Sequence, residues 1–279
     1  MKKALIFGVT GQDGSYLADI LLEKGYAVYG MVRRSATGNT KNIQHLLDNE
    51  NVFNQQFFVV RGDLADPVSL VRIIEEVQPD EIYNEADQDH ISWSFNIVGY
   101  SADITGAAVG RMLEIIRQVN PEIRFFQPCT SNMFGLTDQP TQNETTLFNP
   151  QSPYAVSKIT AYYFTRYYRE AFGMHASTAI LYNHESPRRS IEYVTRKITN
   201  SVARIALGKE DKLVLGDLSA EIDWGHAREY MEAAWTMLQQ PQPDDYIIAT
   251  GEAHSVEEFV NEAFKCTNMD PVDFLCQDD

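Results

Sequence analysis

Ala4-Leu5-Ile6-Phe7-Gly8-Val9-Thr10-Gly11-Gln12-Asp13-Gly14 is the stretch on which the fold turns. Four apolar residues read as a buried strand, and glycines at three-residue intervals read as a tight turn. An amphipathic stretch over 16–24 ends at Gly25, and a second apolar run fills 26–32. Strand, glycine turn, helix, strand is how a doubly wound parallel sheet begins. Side chains at Gly8, Gly11 and Gly14 would keep the backbone away from a pyrophosphate. A helix starting there offers it amide donors and the positive end of a dipole. The spacing is G-x-x-G-x-x-G, not the better-known G-x-G-x-x-G, so the flanking strand and helix carry the reading.

The alternation continues outward. Strands are predicted over 57–60, 81–84, 124–127 and 175–181, and helices over 67–77, 102–119 and 154–172. Asp66-Pro67 and Ser152-Pro153 supply helix starts. The fold class is therefore α/β, a parallel sheet covered on both faces. After Asn183 the pattern loosens into helices near 194–207 and 227–239 around a short strand at 212–215. Residues 1–182 are expected to form the dinucleotide-binding domain. Residues 183–279 are expected to be mostly a small substrate-binding region interleaved with it.

Composition bounds the function. The 279 residues are 44% hydrophobic and 22% charged, which suits a globular chain. No apolar run approaches the roughly 18–20 residues of a membrane span, and the N-terminus lacks a cleavable leader pattern. Against 39 acidic residues stand 23 basic ones, a net charge of −16. Without a basic run, that balance argues against nucleic acid. Three sparse cysteines, Cys129, Cys266 and Cys276, suit a reducing, cytoplasmic setting. The six histidines show no metal-ligand spacing, and no metal site is expected. Asp278-Asp279 reads as a frayed terminus.

Two further positions carry chemistry. Arg33 and Arg34 follow the second strand, where an acidic residue would accept from the ribose of NAD. Two guanidinium groups suit a 2′-phosphate instead, which favours NADP. Asp63, after the third strand, is placed to accept from an adenine amino group. In Tyr154-Ala155-Val156-Ser157-Lys158, Tyr154 and Lys158 share one helix face. A lysine cation beside a phenol lowers its pKa, so the tyrosine can exchange a proton with a hydroxyl near neutral pH.

With these residues in view, the chain resembles the extended short-chain dehydrogenases/reductases, and among them the GDP-mannose 4,6-dehydratase family. The resemblance runs from Lys3 to about Phe274. It rests on G-V-T-G-Q-D-G-S-Y-L-A (8–18), V-R-R-S (32–35), V-Q-P-D-E-I-Y-N (77–84), S-P-Y-A-V-S-K (152–158), L-Y-N-H-E-S-P-R-R (181–189), Y-V-T-R-K-I-T (193–199) and D-W-G-H-A (223–227). It implies a Rossmann domain, bound NADP, a GDP-hexose substrate, and a homodimer or homotetramer. Cofactor contacts are implied at Gly8, Thr10, Gly11, Gln12, Asp13, Gly14, Arg33, Arg34, Asp63, Leu64, Tyr154 and Lys158, and substrate contacts at Asn183, Glu185, Arg188 and Lys197. The 33–40 loop resembles one that reaches a neighbouring subunit's cofactor in tetrameric members. In the family mechanism the tyrosine deprotonates the sugar O4 as hydride leaves C4. A glutamate then removes the C5 proton and helps expel the C6 hydroxyl as water, and hydride returns to C6.

The chain departs from that pattern. Thr130 stands in place, but the glutamate position is Asn132. The run after the fourth strand reads Asn84-Glu85-Ala86-Asp87-Gln88-Asp89, with three carboxylates where the family has Leu, Ala and Ser. Ile222 replaces an arginine before Asp223-Trp224-Gly225, Ser190 stands where glycine commonly follows the arginine pair, and roughly 40–50 family residues are expected beyond the last one here. Three outcomes are open: a nearby carboxylate, Asp87 or Asp89, substitutes for the glutamate; the chain stops at C4 as a 4-epimerase or 4-ketoreductase; or it is a binding or scaffold subunit without catalysis. Cys129 is expected to be a small buried residue, and His184 a hydrogen-bonded structural histidine.

Overall fold

A computed structural model describes residues 1–36 and 38–277. Thr37, inside the 33–40 loop, and the acidic ending Asp278-Asp279 lie outside the described residues. Along the chain run β1 (Lys3–Phe7), α1 (Gln12–Glu23), β2 (Ala27–Val32), α2 (Gln44–Leu47), β3 (Phe57–Arg61), α3 (Pro67–Val77) and β4 (Glu81–Asn84). Then come α4 (Ile91–Ser94), α5 (Val98–Ser101), α6 (Ala108–Val119), β5 (Arg124–Thr130), α7 (Pro153–Phe172), β6 (Ala176–Leu181) and β7 (Asn183–Glu185). The chain finishes with α8 (Val194–Ala206), β8 (Leu213–Leu215), β9 (Glu221–His226), α9 (Ala227–Gln239), β10 (Asp245–Ile248), β11 (Ala253–Ser255), α10 (Val256–Lys265) and β12 (Leu275–Gln277).

The chain divides into two compact units, residues 1–181 with 227–248, and residues 182–226 with 249–279. In the first, seven strands form one sheet in the order β10-β6-β5-β4-β1-β2-β3, every pair parallel. The expected doubly wound α/β sheet is thus present, with β10 as an edge strand that the loosened pattern after Asn183 did not reveal. Alternation along β1 explains the two layers. Ala4 and Ile6 face a core built with Leu17 and Leu21 of α1 and Met231 and Leu238 of α9. Leu5 and Phe7 face the opposite core, with Ile73 of α3, Met112 and Ile116 of α6, and Ala161 of α7. Phe125 and Phe126, neighbours on β5, are fully buried on opposite faces. Each contributes about 1.5–3 kcal/mol by leaving water.

Helix ends follow local chemistry. Asp66 caps α3 by accepting from Val68 N, and Ser152 caps α7 by accepting from Ala155 N at 3.1 Å, each with proline at the first helical position. Gly173 ends α7 in the left-handed conformation, φ 67°. Two expectations change. The helix expected over 102–119 opens as a π-helical segment, Ala102–Ala107, before α6. Here a Cβ on Gly106 would lie 3.2 Å from the Ser157 carbonyl, so the widened turn sits close against α7. The strand expected over 124–127 continues through Pro128 to Thr130, because β6 pairs with it as far as Leu181.

The second unit holds two small sheets, β11-β9-β7 and β12-β8. Ile198 and Val202 of α8, Leu213 and Leu215 of β8, and Val260 and Phe264 of α10 form its core.

Candidate active site

The glycine turn is built as its sequence requires. Gly8 leaves β1 with φ 80°, and a Cβ there would stand 2.3 Å from the Glu85 carbonyl oxygen. A Cβ on Gly14 would stand 2.4 Å from the Gly8 carbonyl. Strand, turn and helix can approach this closely only without side chains. Gly11 is the N-cap of α1 and brings no capping side chain, so the first turn presents its backbone end. Gln12 and Gly14 are buried and Thr10 and Asp13 half-buried. These residues fit the diphosphate of a dinucleotide.

The other positions expected to contact a cofactor also follow parallel strands at their C-terminal ends. Arg33 and Arg34 leave β2 exposed, and Arg33 Nη1 donates to the Tyr100 hydroxyl at 3.1 Å. Asp63 follows β3, where its Oδ1 accepts from Ala65 N at 3.0 Å. Leu64 is buried, its side chain in the core with Met31 and Ile73. Glycine turn, arginine pair and Asp63 thus share the strand ends where ligands bind in open α/β sheets.

Tyr154 and Lys158 lie in the first two turns of α7, four residues apart, and only 7% and 3% exposed. Lys158 Nζ lies 5.8 Å from the Tyr154 ring centre and donates to the Pro128 carbonyl at 2.8 Å. Thr130, the last residue of β5, is close enough to Tyr154 to favour its phenolate. Its Oγ1 also accepts from Asn132 N at 3.3 Å and Asn132 Nδ2 at 3.1 Å. The four catalytic candidates therefore meet where β5 ends and α7 begins.

Electrostatics corrects the expectation drawn from the Tyr154–Lys158 spacing. Burial drives the Tyr154 phenol above its ordinary range. Lys158 opposes that rise, and the carboxylates of Asp87 and Asp89 add to it. Burial outweighs the lysine, whose ammonium is also engaged by Asp87 Oδ2 at 2.5 Å. Burial alone would lower Lys158, but Asp87, Tyr154 and Cys129 hold it above its usual value, so it stays charged. Asp87 is raised by burial, with Lys158 pulling the other way.

The carboxylate-rich segment is itself fixed in place. Glu85 N donates to Phe7 O at 2.9 Å, and Gln88 N donates to Thr105 Oγ1 at 3.1 Å. Glu85 Oε1 is buried without a hydrogen-bond partner. Burial, then the charge of Asp13, pushes this carboxyl well above the carboxylate range. Asp89 is exposed. Cys129 is buried, and burial pushes its thiol up to about 12, so it packs as a small apolar residue.

The substrate candidates belong to the second unit. Asn183 is exposed on β7, and Lys197 exposed on α8. Glu185 Oε2 accepts from Thr195 Oγ1 at 2.6 Å and lies 3.5 Å from Arg189 Nε. Arg188, half-buried, donates its backbone N–H to Ser186 Oγ at 3.0 Å. His184 Nδ1 lies 2.8 Å from Tyr182 O, a structural bond. Ile222 pairs with His254 and packs beside that unit's core. Sequence reasoning missed the contact of Asp87 with Lys158. The signal was an acidic residue three places after β4, the strand next to the one that holds Pro128.

A family model described as GDP-mannose 4,6 dehydratase matches residues 5–273. The chain belongs to that family. It is 51% identical over 267 residues to the GDP-mannose 4,6-dehydratase of Yersinia enterocolitica, covering 95% of this chain and 72% of that one. With the Sinorhizobium fredii GDP-mannose 4,6-dehydratase it shares 49% over 270 residues, 96% of this chain and 77% of that one. Among solved structures, a dTDP-glucose 4,6-dehydratase from Bacillus anthracis, in complex with NAD, superposes with a TM-score of 0.85 at 21% identity. The match covers 100% of this chain and 85% of that one. At that identity the likeness shows the doubly wound α/β fold alone. No described helix is long and apolar enough to cross a membrane.

Proposed function

We propose that this chain is an NADP-dependent dehydratase of GDP-mannose, oxidising the hexose at C4 and then eliminating water across C5 and C6. The observation that carries the reading is Tyr154, Lys158 and Thr130 gathered at the end of β5, in a chain of the dehydratase family. Gly8, Thr10, Gly11, Gln12, Asp13 and Gly14 would hold the coenzyme diphosphate, Arg33 and Arg34 a 2′-phosphate, Asp63 and Leu64 the adenine end, and Tyr154 and Lys158 the nicotinamide end. A bound nicotinamide would supply a hydride acceptor for C4 and a donor for C6, so the reaction would involve no net oxidation.

The chain's own groups move the protons. Tyr154 takes the O4 proton, with Thr130 orienting that oxygen and Lys158 supplying the cation that favours phenolate. The C4 ketone then acidifies the C5 proton. Asn132 cannot receive that proton, since an amide is no useful base, and its Nδ2 already donates to Thr130. Acid–base assistance is worth about 10²–10⁴-fold, so elimination is the slow half of the reaction here. Asn183, Glu185, Arg188 and Lys197 are assigned to the GDP-hexose. The reading includes a homodimer or homotetramer, to be checked by scattering in solution. It also includes a cytoplasmic setting, which suits three cysteines that form no disulfide.

The test is mass spectrometry of GDP-mannose incubated with protein and NADP. Loss of one water from the sugar nucleotide is expected, and an unchanged mass overturns the reading.

A further inference from the structure

The Lys158 ammonium has a carboxylate partner besides the phenol it serves. Asp87 Oδ2 is 2.5 Å from Nζ, while the Tyr154 ring centre is 5.8 Å away. Both partners of the ion pair are well covered, the Lys158 side chain 4% exposed and that of Asp87 16%. Pro128 O occupies a second donor at 2.8 Å. A carboxylate this close turns the lysine's field from that of a single charge into that of a short dipole, which decays faster with distance. Asp87 is held there by the backbone on either side, through Glu85 N to Phe7 O and Gln88 N to Thr105 Oγ1. The other titratable groups felt across this cluster are Asp13 on α1, Glu85 and Asp89 beside Asp87, and Cys129 on β5.

We propose that Asp87 is a positioning residue for Tyr154: by engaging the Lys158 ammonium it withholds that charge from the phenol and keeps Tyr154 in its protonated form. In this role Asp87 is engaged with Lys158 and is not assigned to the C5 proton. Its carboxylate acts through Lys158 on the C4 half of the reaction, and its catalytic consequence rests on the dehydratase reading above. Its effect on Tyr154 rests on geometry alone. The raised phenol and the raised lysine accord with it, since Asp87 contributes to both.

The experiment follows the phenol directly. Protein carrying [13Cζ]tyrosine is titrated by NMR without substrate, with the Tyr154 resonance assigned through Tyr154→Phe. Wild type is compared with Asp87→Ala and with Asp87→Asn, which keeps the side-chain shape and removes the charge. In both variants Tyr154 is expected to ionise at least about one pH unit lower than in wild type. The pH profile of the C4 oxidation, followed in a single turnover as NADP reduction, is expected to move the same way, about tenfold in rate per pH unit on its rising limb. An unchanged or higher Tyr154 midpoint in both variants overturns the proposal, because a purely structural role for Asp87 leaves the ionisation of Tyr154 where it was. If the midpoint falls but no protein releases water from GDP-mannose, the proposal stands and the dehydratase reading fails. If water is lost while the midpoint does not move, the reverse holds.

Discussion

Glu85 carries an unsatisfied oxygen into the wall of the glycine turn, because Oε1 is buried without a partner. Its carboxyl is raised well above 4.5 by burial, then by Asp13. An acid raised on folding contributes stability that is fully present below its unfolded pKa and is lost as pH rises through the folded value. Glu85→Leu, which puts an apolar side chain at this position, is therefore expected to stabilise the protein by about 1–3 kcal/mol at around pH 8. Near pH 5 the gain should be smaller, because burial favours the protonated carboxyl. Thermal unfolding at the two pH values checks both halves. At this scale the sequence was half legible. Tyr154 and Lys158 could be paired because four residues on a helix always meet. Asp87 and Lys158 are 71 positions apart in sequence, and only the parallel order β4-β5 brings them together.

At the scale of single elements, α7 carries Tyr154 and Lys158, and its first turn depends on Ser152 accepting from Ala155 N. Ser152→Ala removes that bond and should cost about 1 kcal/mol. Because Tyr154 lies in that first turn, the water-loss rate should fall with stability. Denaturant unfolding and the activity assay measure the two effects together. Elements with strong local signals were readable, since Asp66-Pro67 and Ser152-Pro153 each announce a helix that the structure contains. The capping box that starts α10, Ser255 with Glu258, was equally present in sequence but passed unread. The π-helical opening before α6 has no local signal. It depends on how closely Gly106 approaches Ser157, a tertiary contact. For β10, four apolar or polar residues alone do not announce a strand. Asp245 anchors it by receiving Arg169 through both nitrogens, at 2.9 and 2.8 Å, and the Tyr162 hydroxyl at 2.8 Å.

For the whole molecule, a net charge of −16 surrounds a site assigned to an anionic sugar nucleotide and an anionic coenzyme. Long-range repulsion slows their arrival, and salt screens it over about 10 Å at 0.1 M. Raising NaCl from about 20 to about 150 mM should therefore raise kcat/KM for GDP-mannose, where a basic binding surface would show a fall. Steady-state kinetics at fixed pH decide between the two.

On the dehydratase reading the residues of the C4 step are in place, and Asn132 makes the elimination the slower half. Kinetic isotope effects separate the halves most directly. GDP-mannose deuterated at C5 should be dehydrated more slowly than the unlabelled substrate, while deuterium at C4 should leave the rate nearly unchanged. In Asn132→Glu the water-loss rate should rise by about 10²-fold or more, and the C5 effect should shrink. A rate sensitive to deuterium at C4 but not at C5 would contradict the claim, placing the slow step at Tyr154 instead of at the missing carboxylate.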